Sequence, residues 1–178
     1  KESLFFLAGK RTPFGSFGGT LKDVHPTQLC VTAGKAAFEQ AQVDPKEVDH
    51  TIVGNVLLAG EGNIYIPRHV GLHLGVPIEK PALGVNRLCG TGFQVIIEAW
   101  HQMLAGDSKI ALVGGVENMS MAPYLLRNAR WGYRMGNSEV TDLMMESLTD
   151  PWCKAPMAIT AENLAVKYGF SREAADEF

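Results

Sequence analysis

The sequence lacks the features that would direct it to a membrane, to nucleic acid or into a disulfide framework. No apolar run approaches the roughly 18 residues needed to cross a bilayer. The first apolar stretch, Leu4 to Ala8, is shorter than the about 7–15 residues of a signal-peptide core. A dominant charge is missing too: 16 Lys+Arg stand against 19 Asp+Glu, and a formal net charge of -3 gives no basic field for nucleic acid. Cysteine is sparse. Cys30, Cys89 and Cys153 are odd in number and form no C-x-x-C pair. That argues against a disulfide framework or a zinc ribbon, and for reduced thiols in an intracellular compartment. What remains is 46% hydrophobic and 20% charged residues over 178 positions, the balance of a soluble globular chain with enough aliphatics for a core. Length points to one domain, or to one and part of another.

Strand and helix patterns alternate through the first 117 residues. Leu4 to Ala8 reads as a short buried strand, followed by a glycine-rich loop from Gly9 to Gly19 in which Pro13 and the glycines exclude regular structure. Pro26 suits a first helical position, and Leu29, Ala33, Ala36, Ala37 and Gln40 keep helical spacing through Ala41. Thr51 to Leu58 is mostly aliphatic, as befits a strand covered on both faces. A helix is expected from about Tyr65 to Leu74, starting no earlier than Ile64 because Pro67 fits only in its first turn. A strand at Ala82–Arg87, a helix at Phe93–Leu104 and a strand at Ile110–Gly114 complete a β-α-β-α-β-α-β order. The fold class is therefore α/β, a mainly parallel sheet with helices on both faces. The Phe93–Leu104 helix is apolar nearly all round, so it is expected to be buried on every side and to have more protein around it.

From residue 118 the character changes, and the expected division is a domain over 1–117 and part of an irregular loop domain over 118–178. Residues 118–157 are rich in Met, Asn, Arg, Trp and Pro, with one short helical candidate at Thr141–Leu148. Excursions this long are usually functional or interfacial. Thr160 is expected to cap a helix over Ala161–Tyr168 stopped by Gly169, and Ser171 to cap another with Glu173 in its first turn. That last helix has no stop signal before Phe178, so the sequence reads as broken off.

The strongest chemical constellation is Asn86-Arg87-Leu88-Cys89-Gly90-Thr91-Gly92, placed where a strand hands over to a helix. A sharp turn there lifts a side chain clear of the sheet, as in the nucleophile elbow of hydrolases. Unpaired N–H groups and the positive dipole end of a helix favour thiolate over thiol. From spacing alone Cys89 is equally a small buried residue at a tight turn, and the flanking glycines tilt the balance towards a nucleophile. Cys30 falls on the apolar face of the first helix and reads as core. Cys153, beside Pro151 and Trp152, has no accompanying base or helix start. His69 and His73 stand i, i+4, but no further acid or cysteine completes a metal set, so a solvated helix face is the better reading. The Gly9–Gly19 loop lacks the order of a phosphate-binding loop. Arg127, Arg130 and Arg134, with Trp131 and Tyr133 between them, form a weak basic-aromatic patch suited to a subunit contact, an anionic rim or plain solvation.

Taken in order, several segments resemble the thiolases. They include Lys10-Arg11-Thr12-Pro13-Phe14-Gly15, Asn86 to Gln94 around Cys89, and Gly114-Gly115-Val116-Glu117-Asn118-Met119-Ser120. Arg68-His69-Val70-Gly71-Leu72, Ser147-Leu148-Thr149-Asp150 and Met157 to Ala165 match as well. Thr91 departs mildly, since the family usually has serine there, and Pro67 sits where a better helix former is usual. The resemblance covers the N-terminal half of a family member. The family's two later motifs, carrying a histidine and a second cysteine, are not among these residues. It implies an acyltransferase that cleaves 3-ketoacyl-CoA thiolytically through an acyl-Cys89 intermediate, as in fatty acid β-oxidation. It also implies Met157 in the acyl pocket, no cofactor (CoA and acyl-CoA being substrates), a homodimer or homotetramer, and no membrane span. The mitochondrial matrix is the implied compartment, or the cytoplasm if the source is bacterial. Two other readings stay open: a biosynthetic acetoacetyl-CoA thiolase, and an N-terminal fragment inert alone that serves as a structural or dimerisation module.

Overall fold

In the computed structural model, which describes residues 3–178, the chain divides into two compact units that meet at Ala122 and Pro123. The first is an α/β layer structure. Its elements are α1 (Pro26–Ala41), β1 (His50–Gly54), α2 (Ile66–Leu74), β2 (Ala82–Val85), α3 (Thr91–Ala105) and β3 (Ala111–Gly115). The three strands form one parallel sheet in the order β2-β1-β3, with Ile52 opposite Leu83 on one side and Val113 on the other. Parallel neighbours need crossover connections, and α2 and α3 supply them.

The central strand shows why the sheet carries helices on both faces. Successive side chains of a strand point to opposite sides. Val53 packs with Ile66, Val70 and Leu74 of α2, joined by Cys30, Val31 and Phe38 of α1. Ile52, one residue earlier, packs the other way, against Val95 and Ala99 of α3. Both are fully buried, which stabilises each layer by about 1.5–3 kcal/mol per side chain. Close approach of α2 to the sheet depends on Gly71, where a Cβ would stand 2.8 Å from Thr51 Oγ1.

Local chemistry sets the helix ends. Pro26 opens α1, and the His25 ring caps it: Nδ1 accepts from Thr27 N at 3.2 Å, which leaves Nε2 to donate to the Glu61 carbonyl at 2.8 Å. Pro67 occupies the first turn of α2, as its missing N–H requires. Gly75 and Gly106, both at positive φ, close α2 and α3.

Several expectations fail here. Leu4–Ala8 is not a strand, and Phe5 and Phe6 are exposed, because no strand among the described residues runs beside it to take its backbone hydrogen bonds. The order observed is therefore α-β-α-β-α-β. The strand expected to reach Leu58 stops at Gly54, because the N–H groups of Val56 and Leu57 turn to the Glu117 carboxylate instead of a neighbouring strand. The strand expected to reach Arg87 stops at Val85, where the Asn86 side chain takes the Leu88 N–H and bends the chain. Helix α3 is covered on one face only: Val95 and Ala99 are buried, while Phe93, Ile97 and Leu104 are exposed. All-round apolarity sets what can be buried, not how much of it the neighbouring residues cover.

The second unit has no residue in the fully buried class among those described. Two short antiparallel ribbons, β4 (Tyr124–Leu125) with β5 (Thr141–Asp142) and β6 (Thr149–Asp150) with β7 (Ala155–Pro156), frame α4 (Leu143–Ser147). Asp142 caps α4 by accepting from Met144 N at 2.9 Å. Helices α5 (Met157–Tyr168) and α6 (Arg172–Glu177) follow. The expected cap at Thr160 is corrected: α5 begins at Met157, whose N–H is held by the Leu148 carbonyl at 2.9 Å, and the Thr160 hydroxyl donates back to Met157 O at 2.6 Å from inside the helix. Ser171 does cap α6, accepting from Ala174 N at 3.1 Å. Among the described residues no helix is long and apolar enough to cross a membrane.

Candidate active site

The carboxyl ends of β1, β2 and β3 lie at one edge of the sheet, the edge where open α/β sheets hold ligands. Cys89 stands there, between β2 and α3, with its residue exposed. The turn that presents it is left-handed at Leu88, φ +49°, a region that disfavours a side chain with a Cβ. Side-chain and backbone hydrogen bonds hold that turn. Asn86 Oδ1 accepts from Leu88 N at 3.0 Å. The Thr91 hydroxyl donates to Leu88 O at 2.6 Å and accepts from Arg87 N at 2.8 Å. Gly90 N closes on Arg87 O at 3.1 Å. Gly90 is the residue that caps α3, so Cys89 stands immediately before the positive end of the helix dipole.

Thr91 is itself seated against the sheet. It is buried, and at Gly54 an added Cβ would lie 2.1 Å from Thr91 Cγ2. The absence of a side chain on the last residue of β1 is thus what lets the Thr91 hydroxyl reach the turn. Beyond Cys89, Arg87 donates to Gln94 Oε1, and Gln94 Nε2 donates to Glu98 at 2.6 Å along α3. A cleft of about 280 Å³ opens between the ends of β1 and β2, lined by Val53, Asn55, Val56, Pro67 and Asn86 among others. Cys89 does not line it.

The other cysteines differ in kind. Cys30 packs against the core beside Val53 and Val70, and burial pushes its thiol up to about 11, which keeps it protonated and unreactive near neutrality. Cys153 is exposed in the second unit. Met157 is the first residue of α5 in that unit, with part of its side chain exposed. Cys89 and Met157 therefore belong to separate units. His69 and His73 are exposed on α2, and no group of three His, Cys, Asp or Glu among the described residues is placed to hold a metal ion. Within the basic-aromatic patch, Arg127 pairs with Glu146, and Trp131 closes a short 3-10 turn with its ring almost fully exposed.

Two residues to which the sequence alone assigns no role, Glu117 and Asn118, organise the site's surroundings. Glu117 accepts from Val56 N at 2.9 Å, Leu57 N at 3.0 Å and Asn55 Nδ2 at 2.7 Å. Burial pushes its carboxyl above the ordinary value, against the pull of those three donors. Asn118, buried, donates through Nδ2 to the carbonyls of Leu21, Lys22 and Val24, at 3.1, 3.1 and 2.9 Å. The available signal was a carboxylate and an amide directly after an apolar strand, where a polar group has to find partners.

Comparison with known proteins agrees with this architecture. Residues 5–178 match the family described as Thiolase, N-terminal domain. The mitochondrial 3-ketoacyl-CoA thiolase of Bos taurus is 47% identical over 178 residues, 99% of this chain and 45% of that protein. The crystal structure of human mitochondrial 3-ketoacyl-CoA thiolase in complex with CoA superposes with a TM-score of 0.91 at 48% identity, over 96% of this chain and 44% of that one. An acetyl-CoA acetyltransferase structure from Syntrophomonas wolfei gives a TM-score of 0.87 at 40% identity, over 94% and 42% of the two chains. The chain thus spans less than half the length of these relatives. A cysteine lifted from a strand-to-helix turn of a parallel α/β layer, in a chain matched from end to end in this way, makes the protein a member of the thiolase family, represented here by its N-terminal domain.

Proposed function

We propose that the protein is an acyltransferase that cleaves 3-ketoacyl-CoA thiolytically, with Cys89 as the carrier of the acyl group. The Cys89 sulfur, as thiolate, attacks the ketone carbon and forms a bond to it. The bond between that carbon and the next breaks, and its electron pair leaves on the enolate of acetyl-CoA, which a proton donor outside these residues converts to acetyl-CoA. The acyl-Cys89 thioester then passes its acyl group to the sulfur of free CoA, whose thiol proton goes back to that donor, and the Cys89 thiolate returns. A thioester conserves the acyl group's transfer energy, and a thiolate is a strong nucleophile for forming it.

The observation that carries this reading is the exposed Cys89 on its left-handed turn at the ligand-binding edge of the sheet. Met157 is assigned to the acyl pocket, where a flexible thioether suits chains of varied shape. The assembly is a homodimer or homotetramer, and the mitochondrial matrix is the compartment in keeping with the names of the relatives. Similarity to an acetyl-CoA acetyltransferase favours a second reading, in which the enzyme joins short units biosynthetically.

The test is mass spectrometry of the full-length protein, quenched in acid after exposure to a 3-ketoacyl-CoA. An acyl adduct is expected on the Cys89 peptide, and none on Cys89→Ser. An adduct that persists in that variant overturns the assignment. Turnover that falls away for all but the shortest ketoacyl-CoA favours the biosynthetic reading.

A further inference from the structure

Glu117 holds the backbone after β1 with both carboxylate oxygens, yet no step of acyl transfer uses it. Oε2 takes Val56 N at 2.9 Å, and Oε1 takes Leu57 N at 3.0 Å and Asn55 Nδ2 at 2.7 Å. The same Asn55 amide reaches Val116 O at 2.9 Å, so the turn after β1 is stitched to the segment after β3. The next contact runs towards the cysteine. Val56 O accepts from Asn86 Nδ2 at 3.3 Å, and the other end of that amide, Oδ1, accepts from Leu88 N at 3.0 Å. Leu88 carries the positive φ and directly precedes Cys89. A leucine there is disfavoured by about 1–3 kcal/mol and persists only where its surroundings fix it.

We propose that Glu117 and Asn86 are positioning residues for Cys89: a relay from the Glu117 carboxylate through the Val56 peptide and the Asn86 amide holds the Leu88 peptide left-handed and so sets the direction of the thiol. The functional meaning of the relay rests on Cys89 as acyl carrier. The chemistry of each member explains its identity. Only a carboxylate can accept from two backbone N–H groups on two oxygens here; glutamine would turn an NH2 towards one of them. The Asn86 amide donates to Val56 O from its nitrogen end while its oxygen end accepts from Leu88 N. The Thr91 hydroxyl anchors the other side of the turn, so the relay fixes one of two supports.

The experiment is a double-mutant cycle on the full-length protein with Glu117→Gln, Asn86→Ala and the pair. The readouts are the rate at which iodoacetamide labels Cys89, with exposed Cys153 as internal reference, and kcat and KM on a 3-ketoacyl-CoA. Each single variant is expected to slow Cys89 labelling about fivefold and lower kcat about tenfold, with KM within about twofold and Cys153 unaffected. The pair is expected to be no slower than Asn86→Ala alone, because a second cut in the same relay removes nothing further. Effects that multiply, or an unchanged labelling rate in either single variant, overturn the relay. Should Glu117→Gln fail to fold, Asn86→Ala decides alone, since Asn86 is exposed and its loss leaves the core intact. Labelling is readable whether or not acyl transfer occurs. Multiplying effects beside a normal acyl-Cys89 adduct sink the relay only, whereas a missing adduct beside an intact cycle sinks the proposed function only.

Discussion

Replacing Gly54 by alanine should disturb the turn before α3 from underneath, and a second substitution should repair it. Gly54 ends β1 and does not have a positive φ, so alanine meets no backbone penalty there. The penalty is steric. The new Cβ would lie 2.1 Å from Thr91 Cγ2, while its next neighbours, Thr91 Cβ at 3.4 Å and Val85 O at 3.5 Å, stand at ordinary contact distance. Forcing one methyl into a filled site costs about 1–3 kcal/mol. If Thr91 moves aside, its hydrogen bonds to Arg87 N and Leu88 O weaken, at about 1 kcal/mol each. Gly54→Ala should therefore destabilise the protein by about 3 kcal/mol in urea unfolding and also slow Cys89 labelling. Thr91→Ser removes the clashing methyl and keeps the hydroxyl. Alone it should cost about 1 kcal/mol for the lost buried methyl. Introduced together with Thr91→Ser, Gly54→Ala should cost less than about 1 kcal/mol, a coupling of about 2 kcal/mol between the sites. An equal cost in both backgrounds, or a Gly54→Ala variant as stable as the parent, would refute the seating of Thr91 described above.

Iodoacetamide should discriminate between the cysteines of the first unit. With the Cys30 thiol at about 11, only about one molecule in a thousand carries a thiolate there at pH 8, and its packing limits access further. Cys89 should label at least about a hundredfold faster, and comparable rates would contradict the placement of Cys30 in the core. Asp49 should contribute to acid sensitivity. The Lys109 N–H, the Lys80 ammonium and the Ile110 N–H hold its carboxyl at about 2. A depressed folded-state value gives stability that is present above about pH 4 and lost as pH falls towards 2. Because the side chain keeps contact with solvent, the contribution is about 1 kcal/mol. Asp49→Asn should flatten the fall in urea midpoint between pH 6 and pH 2.5, and a parallel fall would dismiss the contribution.

Where local rules govern a segment, the sequence was enough to place it. Pro26, the helical spacing to Ala41, Pro67 and Gly75 located α1 and α2 closely, and the aliphatic runs located the crossovers and the parallel sheet. Apolarity misled where cover was at issue. Leu4–Ala8 and the Phe93 face of α3 have the composition of buried segments, but burial is a property of the partner as much as of the segment. The turn bearing Cys89 was legible from its glycines and from the strand-to-helix switch. The residue that adopts the left-handed geometry, Leu88, was not, because leucine carries no signal for it. The polar contacts around the turn join residues 55–57, 86 and 117, far apart in the chain, and no local pattern reports a hydrogen bond of that kind.

The opposed packing of Ile52 and Val53 has a consequence for how such a domain can change. A slip of one position in β1 would exchange the two faces, taking Ile52 towards α2 and Val53 towards α3, and unseating Gly54 from beneath Thr91. Both layers and the cysteine's support would be lost in a single event. Insertions and deletions in this strand should accordingly be tolerated far less than many point substitutions, because its alignment is shared by everything built on either side of it.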